Sequence, residues 1–386
     1  MLDQFEARLD GDFAPVGVET LRAAISPLLP PGGFVADVES LRAFESDGLA
    51  AYRSLPACVV MPETTDQVRA VMATCSKLKV PVVARGAGTG LSGGALPFPG
   101  CVLVSMAKFN RILSMDARSR TARVQPGVRN LAISEAAAPL GLFYAPDPSS
   151  QIACSIGGNV AENAGGVHCL KYGLTVHNIL KLEVVTIEGD LLTIGSGALD
   201  AAGYDLMALM TGSEGLLGVV TEVLVKLVPL PEVAKVLMAC FDEVETAAQA
   251  VADIMAAGIV PAGLEMMDGP ALRAAEDFAH AGYPKSAAAI LLCELDGVAA
   301  DVEEEIARVT ALLTRSGASE VRIARDEDEV RAGSLMRARV RDLFLHPAEF
   351  IDARESIEVA GRRMRDINSN TLLVRVTTSP GARAWP

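Results

Sequence analysis

Apolar positions recur along this chain in two periods, and the changes between them mark out its elements. Residues 18–29 follow a helical period and stop at Pro30-Pro31-Gly32-Gly33, a combination that ends helices. The apolar run at 58–61 predicts a strand. Val68, Val71 and Met72 behind Thr64 and Thr65 predict a capped helix over 65–78, and a β-branched run predicts a strand over 80–84. Glycines at 86, 88, 90, 93 and 94 make a loop before another apolar strand at 101–105. Alternating runs at 112–116 and 121–125 predict a strand pair, and Pro126-Gly127 leads into a helix over 130–140. A short helix capped by Ser155 is expected up to Asn163, then a hairpin of 180–186 and 191–194 about Glu188-Gly189-Asp190. One helical turn is expected within 211–218 and a strand over 219–227.

Beyond Ala234 the pattern changes. Strands are predicted at 235–241, 263–267, 287–295 and 320–324, and helices at 244–257 and 302–316. A short helix from Pro270 separates the two central strands. The order β-α-β-β-α-β is that of the ferredoxin-like split arrangement.

At 386 residues, half of them hydrophobic, the chain is long enough for two cores. Its net charge of −14 opposes a nucleic-acid partner, because phosphate backbones are held by basic faces. The acidic, polar start is not expected to act as a secretory signal, and no apolar stretch is long enough for a spanning helix. Seven cysteines, scattered and odd in number, predict reduced thiols and a cytoplasmic setting. No metal site is expected.

The glycine loop needs a physical reason, since each glycine costs conformational entropy. Successive N–H groups in such a turn can form a concave nest for an anion, with Arg85 adding positive charge at its entrance. A plain glycine-rich turn is the alternative. A Rossmann fingerprint is disfavoured, because Pro97, Pro99 and a strand follow the loop where a helix should open. Two later segments change the balance. One comprises 145–151 (APDPSSQ), 154–166 (CSIGGNVAENAGG) and 171–175 (KYGLT), and the other is 211–221 (TGSEGLLGVVT).

In family order, these motifs resemble the FAD-binding domain of the vanillyl-alcohol oxidase and PCMH-type flavoproteins. The nearest resemblance is to the glycolate oxidase D subunit and the D-lactate and D-2-hydroxyglutarate dehydrogenases. It implies an α+β protein with a helical lead-in (1–55) and a PCMH-type FAD-binding domain of two α/β subdomains (56–231). A ferredoxin-like cap (232–330) and an atypical Arg-rich segment (331–386) complete it. In the family the first loop wraps the FAD pyrophosphate, a role carried onto Arg85, Gly86, Ala87, Gly88, Thr89, Gly90 and Ser92. Pro146, Asp147, Ser149 and Ser150 would shape the wall beside the flavin. Cys154 belongs to the same lining, as a packing residue. Gly157, Gly158, Asn159, Asn163, Gly165, Gly166 and Gly173 would bring backbone close to the cofactor, and Glu214, Gly218, Val219 and Val220 would lie near its adenosine and pyrophosphate. FAD is expected to be noncovalent.

The implied activity is oxidation of a small D-2-hydroxy acid, glycolate or D-lactate, by hydride transfer to flavin N5. Implied partners are a second flavin subunit and an iron–sulfur subunit, which would also provide any peripheral attachment to a membrane. The late histidine motifs of the family are not found, so the catalytic base is unassigned and Arg337 stands as the candidate grip for the substrate carboxylate. Residues 331–386 carry ten arginines and no lysine. They read either as an Arg-rich helix followed by a strand or as a truncated or out-of-frame ending. The chain is therefore expected to bind FAD but to reduce it poorly. A nonenzymatic FAD-binding remnant and an electron-transfer subunit are the alternatives.

Overall fold

A computed structural model describes residues 16–197, 203–279 and 282–324. Arg337, the Arg-rich segment and the first part of the lead-in lie outside the described residues. The chain divides into two units, Met1–Gly165 with Gly173–Leu230, and Gly166–Tyr172 with Pro231–Pro386.

The first unit begins with α1 (Val18–Ile25) and a sheet of β1 (Phe34–Val35), β2 (Cys58–Val60), β3 (Val82–Arg85) and β4 (Val102–Ser105), with α2 (Thr65–Leu78) between β2 and β3. The sheet order is β1-β2-β4-β3; β2, β4 and β3 run parallel, and β1 is antiparallel to β2. Parallel strands are covered on both faces, and Cys58–Val60 and Val102–Val104 are accordingly apolar throughout and fully buried. Thr64 is the N-cap of α2. Its hydroxyl accepts the Gln67 N–H while Gln67 Oε1 accepts the Thr64 N–H, a reciprocal capping box. The helix buries Val68, Val71, Met72 and Cys75 against Leu21, Ile25 and the sheet.

Three thiols sit in this core. Burial pushes Cys58 and Cys75 up to about 12 and Cys101 up to about 11, from an ordinary 9.0. In the unfolded chain they ionise near 9, whereas in the folded chain they stay neutral. Their contribution to stability is therefore complete below pH 9 and is lost as pH rises through 11 to 12. The urea midpoint should fall across this window, and should fall less in a Cys58→Ala/Cys75→Ala/Cys101→Ala variant. Equal slopes for the two proteins would contradict the assignment.

The second lobe of this unit contains β5 (Ile112–Asp116), β6 (Thr121–Val124), α3 (Asn130–Ala137), β7 (Leu142–Phe143), α4 (Ile156–Glu162), β8 (Ile179–Val185), β9 (Leu191–Gly195), α5 (Leu206–Met210), β10 (Val219–Lys226) and β11 (Val228–Pro229). The five longer strands form an antiparallel sheet in the order β5-β6-β10-β8-β9, and β7 pairs with β11. Residues along β10 alternate between buried and half-buried, as one-sided packing requires. Ile133, Ile156 and Val160 of α3 and α4 meet Ala122, Leu182, Val184 and Val223 of the sheet in one core. The helical turn expected within 211–218 falls earlier, in α5, where Asp205 Oδ1 caps the Ala208 N–H at 3.0 Å. Gly212, Glu214 and Gly215 all have positive φ, which excludes helix from the segment itself.

In the second unit, β12 (Val233–Phe241), α6 (Val244–Ala256), β13 (Gly263–Asp268), α7 (Gly269–Ala279), β14 (Ala289–Gly297), α8 (Ala299–Arg315) and β15 (Glu320–Ile323) follow the predicted order. Their sheet is antiparallel, ordered β13-β14-β12-β15. One face, with Leu237, Phe241, Leu291 and Cys293, packs on Ile254 of α6 and on Ile306 and Val309 of α8. On the other face, Met238, Cys240, Ile290 and Leu292 pack on Leu272 of α7. The unit also takes in Gly166–Tyr172, whose single turn of helix (Cys169–Tyr172) lies against β13.

Candidate functional site

The glycine loop leaves β3 and reaches the first turn of α4. A Cβ built on Gly86 would stand 2.3 Å from Ser155 Oγ and 3.6 Å from the Gly158 nitrogen. Ser155 is the N-cap of α4, and its hydroxyl accepts the Gly158 N–H at 3.3 Å. The first two glycine-rich segments therefore approach each other through atoms that only a glycine leaves uncovered.

Arg85, 9% exposed, sends its guanidinium back into the fold. Nη1 donates to the carbonyls of Phe44 at 3.1 Å and Ala95 at 3.4 Å, and Nη2 donates to that of Ser46 at 2.6 Å. Burial lowers its pKa, with Asp47 opposing the shift. Its visible work is to brace the loop. Gly88, at φ +69°, lies under that guanidinium, 2.4 Å from Nη2 by its virtual Cβ. Gly48 presses on the other side, where a Cβ would meet the carbonyl oxygens of Thr89 and Gly90 at 2.7 Å. Ala87 and Ser92 are exposed.

The third segment joins at the far end of α4. Gly212 N–H donates to Val160 O and Glu214 N–H to Ala161 O, both at 2.8 Å. Asn163, in the left-handed region at φ 50°, caps the helix, and its Oδ1 accepts the Val176 N–H at 3.1 Å. Ser92 Oγ donates to Glu162 Oε2 at 3.0 Å, and Glu214 Oε2 lies 2.3 Å from the virtual Cβ of Gly94. Burial raises the pKa of Glu162, an effect opposed by Ser92 and reinforced by Glu214 and Asp47. With Arg85 tied to carbonyls and three acids nearby, an anion here would depend on main-chain N–H groups.

Two buried polar atoms are left over here, Asp47 Oδ2 and Asn159 Nδ2. Asn159 is 2% exposed, and its Nδ2 has no acceptor among the described residues. Such a buried donor costs about 1–3 kcal/mol unless something satisfies it.

The remaining expected residues are spread around this centre. Pro146 O accepts the Asn130 side chain at 2.9 Å, Ser150 O accepts the Cys154 N–H at 2.8 Å, and Cys154 itself is buried. Asp147 is half-buried and Ser149 exposed. Gly157 packs on Pro126, whose Cβ is 2.5 Å from its virtual Cβ. Gly173, at φ +80°, meets the His177 ring. Gly165 closes the first unit's span and Gly166 opens the stretch counted in the second. Gly218 packs on Val184 and Val185, while Val219 and Val220 pair with Val185 and Val184 in the β10–β8 ladder. Sequence reasoning did not single out Asp47 or Glu162. The only available signal was Gly90, whose missing side chain makes room for the carboxylate of Glu162. Among the described residues no group of three or more His, Cys, Asp or Glu could hold a metal, and no helix is long and apolar enough to cross a membrane.

Comparison with known proteins gives this arrangement a family. Residues 56–195 match the FAD binding domain, and residues 230–354 match the C-terminal domain of FAD linked oxidases. Glycolate oxidase subunit GlcD of Escherichia coli (strain K12) is 61% identical over 325 residues, 84% of this chain and 65% of that protein. The D-lactate dehydrogenase of Anaerostipes hadrus is 33% identical over 290 residues, 73% of this chain and 61% of that protein. The chain thus spans less than two thirds of the length of these curated relatives. The solved structure of p-cresol methylhydroxylase with substrate bound shares the fold, at a TM-score of 0.69 and 19% identity, covering 84% of this chain and 68% of that one. With an FAD-binding domain first and an FAD-linked oxidase C-terminal domain second, the chain belongs to the FAD-linked oxidases.

Proposed function

We propose that this chain is the flavin-binding, D-type subunit of a glycolate oxidase, oxidising glycolate or D-lactate with noncovalent FAD. The observation that carries the reading is the meeting of three segments around α4, in a chain 61% identical to a glycolate oxidase subunit over 325 residues. Two features fit FAD: the close approach of bare Gly86 to the first turn of α4, and the unused Asn159 donor next to Gly158 on that helix.

In this reading Gly86–Gly90 and Ser92 cradle the pyrophosphate, with Arg85 holding the loop in shape. Asn159 gives its spare N–H to the cofactor, and Pro146–Ser150 form the adjoining wall. Arg337 grips the substrate carboxylate through its planar fork. When bound, FAD supplies a hydride acceptor, while the protein supplies position and electrostatics. A second flavin subunit and an iron–sulfur subunit take the electrons onward and bring the otherwise cytoplasmic assembly to a membrane.

Two measurements test this. Acid precipitation should release all yellow colour into the supernatant; colour kept by the pellet would defeat the noncovalent claim. Under anaerobic mixing, glycolate or D-lactate should bleach the flavin and L-lactate should not, slowly for this chain alone and faster with the partner subunits. An unchanged oxidised spectrum with every acid, partners present, would leave an FAD-binding remnant.

A further inference from the structure

The second unit contains two acidic side chains in an otherwise apolar place. Glu294 and Asp296 lie two positions apart on β14, hence on one face, at 9% and 7% exposure. Ile290 and Leu292, which precede them on that face, are packed in an apolar cluster. A carboxylate removed from water is costly unless it is paired and hydrogen-bonded. Partners for both come from one stretch, Gly166–Tyr172. Asp296 takes the Lys171 ammonium on its carboxylate and its main-chain oxygen, and accepts the Tyr172 hydroxyl at 2.6 Å. Glu294 Oε1 lies 3.3 Å from His168 Nε2. Burial, reinforced by Asp296 and Glu294, raises the Tyr172 phenol above its ordinary range, so it remains a donor.

The same stretch is pinched at its base within the first unit. Ala164 O accepts both the Thr175 N–H at 3.0 Å and the Thr175 hydroxyl at 2.7 Å. Lys171 and Tyr172 therefore hold the outer end of a loop whose roots, Asn163–Gly165 and Gly173, belong to the segment read above as cofactor-binding.

We propose that Asp296 is a positioning residue for FAD: by holding Lys171 and Tyr172 it fixes the path of residues 163–173, and flavin affinity depends on it. The inference rests on the reading of that segment as part of the FAD site. A merely structural staple would change stability alone, so the test reads two other quantities on the full chain. The first is trypsin cleavage after Lys171. The second is the Kd for FAD, from quenching of flavin fluorescence on titration into flavin-free protein. In the wild type Lys171 should resist trypsin. In Asp296→Ala it should become an early cut, with the Kd raised about tenfold or more, a change of one decade being well resolved by titration. Asp296→Asn, which keeps an acceptor for Tyr172 but loses the charge, should fall between them. Lys235→Gln, which breaks an exposed pair with Glu303, should change neither quantity. Should Asp296→Ala fail to fold, Tyr172→Phe removes one hydroxyl and is read by the same two measurements. Early cleavage with an unchanged Kd overturns the proposal, as does persistent resistance at Lys171. Wild-type protein that takes up no FAD overturns the reading beneath it, and this inference falls with that reading.

Discussion

Gly86→Val should give a folded protein, within about 2 kcal/mol of the parent in stability, that carries no flavin. The added Cβ meets Ser155 Oγ at 2.3 Å, and that oxygen ends a short side chain able to rotate. Turning it away sacrifices the cap on the Gly158 N–H, worth about 0.5–2 kcal/mol. The valine methyls remain between the loop and the first turn of α4, where the proposed reading places the pyrophosphate. Flavin absorbance per protein after purification in excess FAD reads the loss, and a melt of the flavin-free protein reads the fold. A yellow Gly86→Val protein would place the cofactor elsewhere. Gly88→Val is less diagnostic, because at φ +69° and 2.4 Å from Arg85 Nη2 it would also disturb the brace that holds Phe44 and Ser46.

Gly127→Ala should do the reverse and damage the first unit itself. Its Cβ would stand 2.5 Å from Met106 O and 2.7 Å from Phe109 O, both main-chain atoms with no rotamer to change. Gly127 N–H already donates to Phe109 O at 2.7 Å, so the approach is part of the fold. Its neighbour Pro126 packs on Gly157 and accepts that residue's N–H at 2.8 Å, so the turn also seats α4. Overpacking typically costs 1–3 kcal/mol, and with rigid backbone on two sides a loss of about 3 kcal/mol or more is expected. That is a large share of a typical 5–15 kcal/mol. Hydrogen exchange should localise the damage, with amides of β12 in the second unit keeping their protection. A shift below about 1 kcal/mol would show that the turn can relax.

Elements with a strong period were legible in the sequence. Helix α2 spans the predicted residues because capping box, apolar face and a left-handed C-cap at Lys79 coincide there. The β-α-β-β-α-β order was legible because each strand alternates or is continuously apolar between clear breakers. Strands β1 and β7, two residues each, carry no period and are held by their partners, β2 and β11, and by the packing of Phe34 and Leu142 into the first unit's cores. The glycine segments were legible as segments, but not what each glycine faces: Gly86 faces a cap, Gly88 a guanidinium and Gly157 a proline ring. Arg85 read as a charge for an anion, while its guanidinium reaches three carbonyls, two of them about forty residues upstream. The division at Gly166–Tyr172 left no local trace, because its partner acids stand on another strand far along the chain.

That distance has a consequence for how the protein is made. Asp296 follows Lys171 by 125 positions. At 5–20 residues per second, translation takes roughly 6–25 s to cover them. The first unit's described chain is complete by Leu230, so it can close around its flavin while Lys171 and Tyr172 still have no carboxylate to hold them. On the ribosome this stretch is a loop open to proteases and chaperones, and it becomes protected only when β14 emerges and folds into its sheet.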